Sequence, residues 1–440
     1  MNVNICYIIG ILEDGAKSLQ EKSIILISDA DLIIGSPHQL DLVLGLIPAN
    51  CETFSIVGNL AATPTKVTEA LEEDKKVVVL ATGDPLCHGV GAYLVKKLGE
   101  ERIIIHPNLS ALQLAAAKLG QRWDTMTIES IHSGQIGEWV SGATPDHGMY
   151  PLRQSLEQDG PWGVFTAKGN GPDKIARMLA TEAIAEEFEL DIFVALGAEN
   201  EQIFRQQKPA EITETTFKDP NFVVIRRVKS PQNRVLFGRV EEEFALRKPD
   251  KGLITKKEVR AVALGLMKLQ SNSFVWDVGA GSGSVGLEAA SLCQKGHVWS
   301  VEKNEKDFAN VTANKKNLGL FNYSPFLGKA PVGLENWAKP NAVFIGGSGG
   351  NLEDIINYSF EKLQSSGRLV AAFVTLENLT TAQKTLEGLT EDWGIIQIQV
   401  ARSKPILNMN RFESLQPVWL VWAEKRAESN ESALKDITNE

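Results

Sequence analysis

The run FVWDVGAGSGSVGLEAA at residues 274–290 constrains this chain more than any other stretch. Apolar residues 274–278 read as a buried strand, Gly279, Gly281 and Gly283 as a sharp turn, and the residues beyond the turn as a helix. Glycine suits such a turn because the chain must reverse tightly and let a ligand approach the backbone where a Cβ would block it. Glu302 closes the next apolar run, 21 residues after Gly281. A carboxylate there can accept hydrogen bonds from both ribose hydroxyls of an adenosine ligand. Gly281, Gly283 and Gly286 also satisfy GxGxxG, and dinucleotide enzymes carry the same distant acid. The spacing therefore predicts an α/β nucleoside site and leaves the nucleoside open.

The text around this motif keeps the same rhythm. Residues 297–301, 342–345, 368–374, 395–400 and the run PVWLVWAEK read as strands, with helices at 284–293 and 305–318, which predicts a doubly wound, Rossmann-like sheet. Thr255, three residues before Glu258, predicts a helix start with reciprocal caps. Earlier in the chain, strands are expected at 5–9, 76–80, 103–105, 163–166, 192–196 and 222–228, with helical text between them. That pattern is an α/β layered domain or two small lobes of that kind. The polar stretch 229–250 reads as a linker, 132–161 as a long loop, and 427–440 as a disordered polar tail. The expected domains are thus 1–228 and 251–426.

A length of 440 residues fits two or three domains, and the net charge of −10 opposes a phosphate backbone as partner. The cysteines at 6, 51, 87 and 293 form no CxxC pair, and the six histidines show no paired spacing, so neither a disulfide framework nor a metal site is expected. No apolar run approaches the ~18 residues of a membrane span, so the expectation is a cytoplasmic protein with a small-molecule partner. Among the histidines, His88 is singled out because it closely follows Gly83, Asp84 and Pro85.

Asp277 two residues before the Gly-x-Gly-x-Gly turn, with Glu302 ending the second strand, resembles class I methyltransferases that bind S-adenosylmethionine. GLITKKEVRA, WDVGAGSGSVGLE, GKAPVGLE, AVFIGGSGG, GRLVAAFVTLEN and ARSKP, in this order over 252–425, resemble the decarboxylating corrin-ring methyltransferases of cobalamin biosynthesis. The resemblance implies that Thr255, Gly279, Ala280, Gly281, Ser282, Gly283, Glu302 and Ala330 contact S-adenosylmethionine. Lys329 stands near where many class I enzymes carry an acid. The cluster Gly346, Gly347, Gly349 and Gly350 replaces the Asn-Pro-Pro or Asp-Pro-Pro run of nitrogen methyltransferases. It reads as room for a broad planar substrate or as a tight βα turn.

In the first half, YIIGILEDGAKSL, VLATGDPLCHGVGAYLV and PNLSALQLAAAKLG resemble the tetrapyrrole methylase family over 3–228. Gly83, Asp84 and Pro85 match its Gly-Asp-Pro loop, which is expected beside the cofactor between two lobes. Gly10, Ile11, Leu12 depart from the usual Gly-x-Gly and place the bulk of Leu12 near the substrate.

Jointly the halves resemble the bifunctional precorrin methyltransferases. That implies methylation of meso carbons 5 and 15 of a precorrin or cobalt-precorrin and loss of carbon dioxide from the ring-C acetate. Carbon 15 and the decarboxylation fall to the second half, carbon 5 to the first, and relatives of both halves form homo-oligomers. No acid or base is assigned, because the electron-rich ring and the sulfonium are already activated. Lys256, Arg260, Arg402, Lys404 and Arg411 are candidate partners for the peripheral carboxylates. A nicotinamide-dependent precorrin reductase and a non-catalytic tetrapyrrole carrier are the alternatives.

Overall fold

The structure is a computed structural model that describes residues 4–132, 134, 136–229, 235–247 and 254–426. The chain divides into two compact units, Met1–Trp139 with Pro151–Ser230 and Val140–Tyr150 with Pro231–Glu440. The tail at 427–440 and the ends of the stretch read as a linker lie outside the described residues.

The first unit contains two sheets. Strands β1 (Cys6–Ile11), β2 (Leu32–Gly35), β3 (Glu52–Ser55), β4 (Val77–Thr82) and β5 (Ile103–His106) form a parallel sheet in the order β3-β2-β4-β1-β5. Parallel strands covered on both faces are apolar along their whole length, which explains runs such as CYIIGI and VVVLAT. Ile8, Ile34 and Val79 pack on one face, Ile9, Ile33 and Val78 on the other. Strands β6 (Thr127–Ser130), β7 (Trp162–Phe165), β8 (Phe188–Val194), β9 (Gln202–Gln207) and β10 (Asn221–Arg227) form a mixed sheet in the order β6-β7-β10-β8-β9.

In the second unit, β11 (Phe274–Val278), β12 (His297–Glu302), β13 (Tyr323–Leu327), β14 (Ala342–Ile345) and β15 (Arg368–Phe373) run parallel. Further along are β16 (Trp393–Ile398), β17 (Ala401–Ile406), β18 (Met409–Ser414) and β19 (Val418–Glu424). The main sheet has the order β13-β12-β11-β14-β15-β19-β16, with β19 antiparallel to both neighbours, and β17 and β18 form a separate hairpin. The order reverses between β11 and β14, so the carboxyl ends of these strands form the crevice in which doubly wound sheets bind ligands. The Gly279–Gly283 turn leaves β11 at that point.

Three sequence readings change. The helix after Thr255 spans Lys257–Leu266 with Lys256 at its N-cap and no side-chain cap. Glu258 instead meets Arg402 at 2.6 Å, an ion pair that outcompetes a local cap. Within the stretch read as a linker, residues 235–247 are anchored in the second unit. There Phe244 is buried in the core and the Arg239 amide donates to Glu288 Oε1 at 2.9 Å. Within the stretch read as a long loop, Tyr150–Ser155 is helical, and Val140–Tyr150 packs on the second unit. The Ser324 hydroxyl donates to the Gly142 carbonyl at 2.6 Å, and the Tyr150 hydroxyl bonds His297 Nδ1 at 2.8 Å. Burial, with a smaller contribution from the charge of Lys315, pushes the His297 imidazole down to about 3. Among the described residues no helix is long and apolar enough to cross a membrane.

Candidate functional site

In the second unit, Gly279, Gly281 and Gly283 all have positive φ, 71°, 58° and 77°. A Cβ on Gly279 would lie 2.2 Å from the Gly347 carbonyl oxygen, and one on Gly283 would lie 2.2 Å from Val311 Cγ2. Glycine is thus required at both by backbone angle and by space. Gly286 donates to Asp277 Oδ2 at 3.1 Å, and a Cβ there would meet the same oxygen at 2.4 Å. The glycine that completed a dinucleotide-like spacing therefore serves close packing of helix on strand.

Glu302 is 8% exposed and holds the turn from the side. Its Oε2 accepts from the Gly281 amide and its Oε1 from the Asn304 amide, both at 2.8 Å. Each carboxylate oxygen keeps a second lone pair, so the group is aimed and still able to accept two further donors. Ala280 and Gly281 are half-buried at the tip, while Ser282 is buried and its carbonyl accepts from Asn314 Nδ2 at 2.8 Å. Behind the turn, Asp277 is buried and its Oδ1 takes no hydrogen bond among the described residues. Burial pushes its carboxyl up to about 7 against the Gly286 bond, which lowers it. Tyr323, whose hydroxyl donates to Asp277 Oδ2 at 3.4 Å, is raised by burial and then by that carboxylate. Tyr323 had no motif to announce it.

The other expected residues fall around this turn unevenly. The Gly328 amide donates to the Glu302 carbonyl at 3.0 Å, which brings the loop carrying Ala330 beside β12, although Ala330 itself packs in the core with Trp276 and Leu334. Thr255 is half-buried, and its carbonyl accepts from Arg260 at 2.7 Å. Gly346 and Gly347 stack on Gly279, so this part of the second cluster is a contact between two βα turns. At Gly350 (φ 99°) a Cβ would meet nothing within 4 Å.

Four of the five cations proposed for the substrate's carboxylates are paired within the protein. Arg260 is fully buried against Glu288 at 3.0 Å. Arg402 bonds both Glu241 and Glu258. Although burial raises Glu241, the Arg402 guanidinium and the Lys257 amide hold it down to about 2. Lys404 and Arg411 share Glu413, at 2.8 and 3.8 Å.

In the first unit, Gly83 (φ 61°) ends β4. Its amide donates to the Ile11 carbonyl at 2.9 Å, and its carbonyl approaches so near that a Cβ on Gly10 would lie 1.9 Å away. Asp84 Oδ1 accepts from the Leu86 amide at 2.9 Å, and the carbonyl of buried Pro85 accepts from Gly91 at 3.0 Å, so the Gly-Asp-Pro turn is rigid from within. A cavity of about 440 Å³ opens beside it, within the size range of small-molecule sites. Leu12, Gly83, Asp84 and His88 line it from the first sheet's loops, and His132, Phe165, Thr166 and Phe222 from the second sheet's side. Pro85 supports the turn from behind and is not part of the lining. The residues from the second sheet sit at strand ends without a motif, so sequence reasoning missed them.

Residues 6–209 match the family of tetrapyrrole (corrin/porphyrin) methylases, and residues 248–425 match the precorrin methyltransferase domain. A precorrin-6Y C(5,15)-methyltransferase [decarboxylating] from Sinorhizobium sp is 29% identical over 93% of this chain and 94% of its own length. A cobalt-precorrin-6B C(15)-methyltransferase (decarboxylating) from Salmonella typhimurium is 32% identical over 42% of this chain and 93% of its own length. A solved precorrin-6y C5,15-methyltransferase from Geobacter metallireducens GS-15 is 38% identical, covering 43% of this chain and all of that one, with a TM-score of 0.42. With relatives along nearly its whole length and both family models in tandem, the chain belongs to the decarboxylating precorrin methyltransferases, a tetrapyrrole methylase half joined to a class I methyltransferase half.

Proposed function

We infer that this enzyme places methyl groups from S-adenosylmethionine on meso carbons 5 and 15 of precorrin-6Y or its cobalt form and removes carbon dioxide from the ring-C acetate. The observation that carries this reading is Glu302, held by the Gly281 and Asn304 amides with a lone pair left on each oxygen at the crevice of the sheet. The residues fit a nucleoside donor: Gly279, Gly281 and Gly283 carry the turn through positive φ beside Glu302, and Asp277 keeps a buried oxygen without a hydrogen bond among the described residues behind it. When bound, S-adenosylmethionine supplies a sulfonium-activated methyl group. Glu302 would take the ribose hydroxyls, and the Gly279–Gly283 backbone, with Ala280 and Ser282, would set the donor's depth. The loop of Ala330 would flank the base, and Thr255 would border the site from the helix before β11.

We assign carbon 15 and the decarboxylation to the second unit, since residues 248–425 match the precorrin methyltransferase domain and the Salmonella relative, of a length to match one half of this chain, carries that activity in its name. Carbon 5 falls to the first unit, where Gly83 and Asp84 line the cavity, Pro85 stiffens the turn, and Leu12 narrows one wall. The protein's part is to align an electron-rich ring carbon with the methyl and to exclude water. Electrons released with carbon dioxide flow into the conjugated ring, which serves as its own sink. Incubation with precorrin-6Y, its cobalt form and labelled donor, followed by mass spectrometry, tests the reading. Two methyl groups gained and one carbon dioxide lost per ring is the expected result; rings recovered unmethylated by folded protein would refute it.

A further inference from the structure

Replacing hydrogen by methyl at a meso carbon leaves a proton to be removed, and the first unit contains a group placed to take it. His132 lines the cavity, and its Nδ1 lies 2.6 Å from the Thr166 carbonyl oxygen. A carbonyl only accepts, so the ring proton sits on Nδ1 and the neutral imidazole keeps its lone pair on Nε2. Thr166 is itself fixed, since its hydroxyl donates to Asn221, at 2.7 Å from Oδ1. The tautomer is therefore set by the backbone before any ligand arrives.

The other charged or titratable groups of the same cavity are engaged differently. Glu13 Oε2 is 2.7 Å from His38 Nε2, Asp84 caps its own turn through the Leu86 amide, the Cys87 thiol is pushed up by burial and then by Asp84, and the His88 ring lies 5.1 Å from that of Phe165. None of them has a donor nitrogen locked in a way that leaves its second nitrogen bare.

We propose that His132 Nε2 is the proton acceptor for methylation in the first unit's cavity, an inference that rests on the carbon 5 assignment above. The carbon–carbon bond forms as the methyl–sulfur bond breaks, its electron pair remaining on sulfur. The C5–H bond then breaks, its electrons return to the ring, and the proton passes to Nε2.

The test uses the full chain and His132→Asn, because the Asn amide can keep the donor to Thr166 while removing Nε2. In the ligand-free protein, two-bond 15N–1H spectra of labelled histidine should show the ring absent from the variant as protonated at Nδ1 and bare at Nε2; the opposite tautomer overturns the proposal. With precorrin-6Y and donor, the variant should form the 5-methyl product about a hundredfold more slowly, the scale of a lost general base. With substrate deuterated at carbon 5, its hydrogen isotope effect should rise from near unity in the unaltered protein to well above it. A residue that only shapes the cavity would slow methyl transfer and leave the isotope effect near unity. That outcome, an unslowed variant, or the effect appearing in His88→Gln instead overturns the proposal while the carbon 5 reading stands. If the unaltered protein methylates only carbon 15, the carbon 5 reading fails and this inference fails with it.

Discussion

In the second unit the turn after β11 is braced from beside by the Glu302 carboxylate and the helix that follows it by Asp277 through Gly286, whereas among the described residues the turn after β4 in the first unit is held by backbone bonds and by Asp84 within itself. The second site is the crevice at the carboxyl ends of the strands, where the Glu302 acceptors are aimed in advance. The first is a cavity of about 440 Å³ whose lining comes from two sheets. A compact nucleoside can be held by the first kind of construction, since a few fixed groups define its whole outline. A wide ring needs the second, with an apolar floor such as Phe165 and Phe222. Each unit shows one of the two tasks of a methyltransferase more plainly than the other.

The largest effect expected from disturbing this contrast is at Gly279. Gly279→Val forces a side chain into positive φ and into the Gly347 carbonyl, so we expect a loss of several kcal/mol of stability and of decarboxylation, read by thermal melting and carbon dioxide release. Gly83→Val strikes the corresponding turn of the first unit, where a Cβ would lie 2.8 Å from the Leu109 carbonyl. It should abolish methylation at carbon 5 and spare decarboxylation; loss of both activities in a folded variant would mean the two turns do not work independently.

Asp277 sharpens the comparison through pH. Its folded carboxyl lies near 7 against 3.8 for the free group, so the folded state binds the extra proton and stability falls as pH rises from about 4 through 7. Asp277→Asn removes that titration. It should gain on the unaltered protein across this window by an amount on the order of a few kcal/mol, and parallel denaturation curves at pH 4.5 and 8 would contradict the buried carboxyl. Glu302→Ala should weaken donor binding by about 2 kcal/mol, the scale of lost charged hydrogen bonds; calorimetry giving unchanged affinity would remove the ribose role. The smallest effect is at Arg402, which ties the segment containing Glu241 to the helix containing Glu258. Arg402→Ala should cost about 1 kcal/mol in urea unfolding, the upper range for a partly exposed pair.

What the sequence made legible were features with local causes. The helix after β12 was expected at 305–318 and spans Glu305–Leu318, because Asn304 caps it with bonds to the Lys306 and Asp307 amides and Gly319 ends it in the left-handed region. The glycine turn and Glu302 were legible because close approach dictates residue type. Strand β13 was missed because Pro325 interrupts its pattern, which the sheet tolerates since β13 lies at its edge. The hairpin of β17 and β18 was missed because β18 is exposed throughout and β17 nearly so, leaving no alternation to detect. Thr255 and Glu258 imitated a cap, and only the fold could reveal Arg402 as the stronger partner. The cavity's second wall was invisible for the same reason: His132, Thr166 and Asn221 are joined by bonds across 34 and 55 positions of sequence.

The stretch Val140–Tyr150 has a practical bearing on any attempt to divide the polypeptide. It comes before Pro151–Ser230 in the chain, yet it supplies Tyr150 to His297 and the Gly142 carbonyl to Ser324. A fragment begun at residue 231 would lack those hydrogen-bonding groups and uncover the aromatic surface of Phe321 that Tyr150 covers. A split-protein version should therefore supply the eleven-residue strap back as a peptide, and the gain in melting temperature on adding it would measure how firmly that borrowed piece is held.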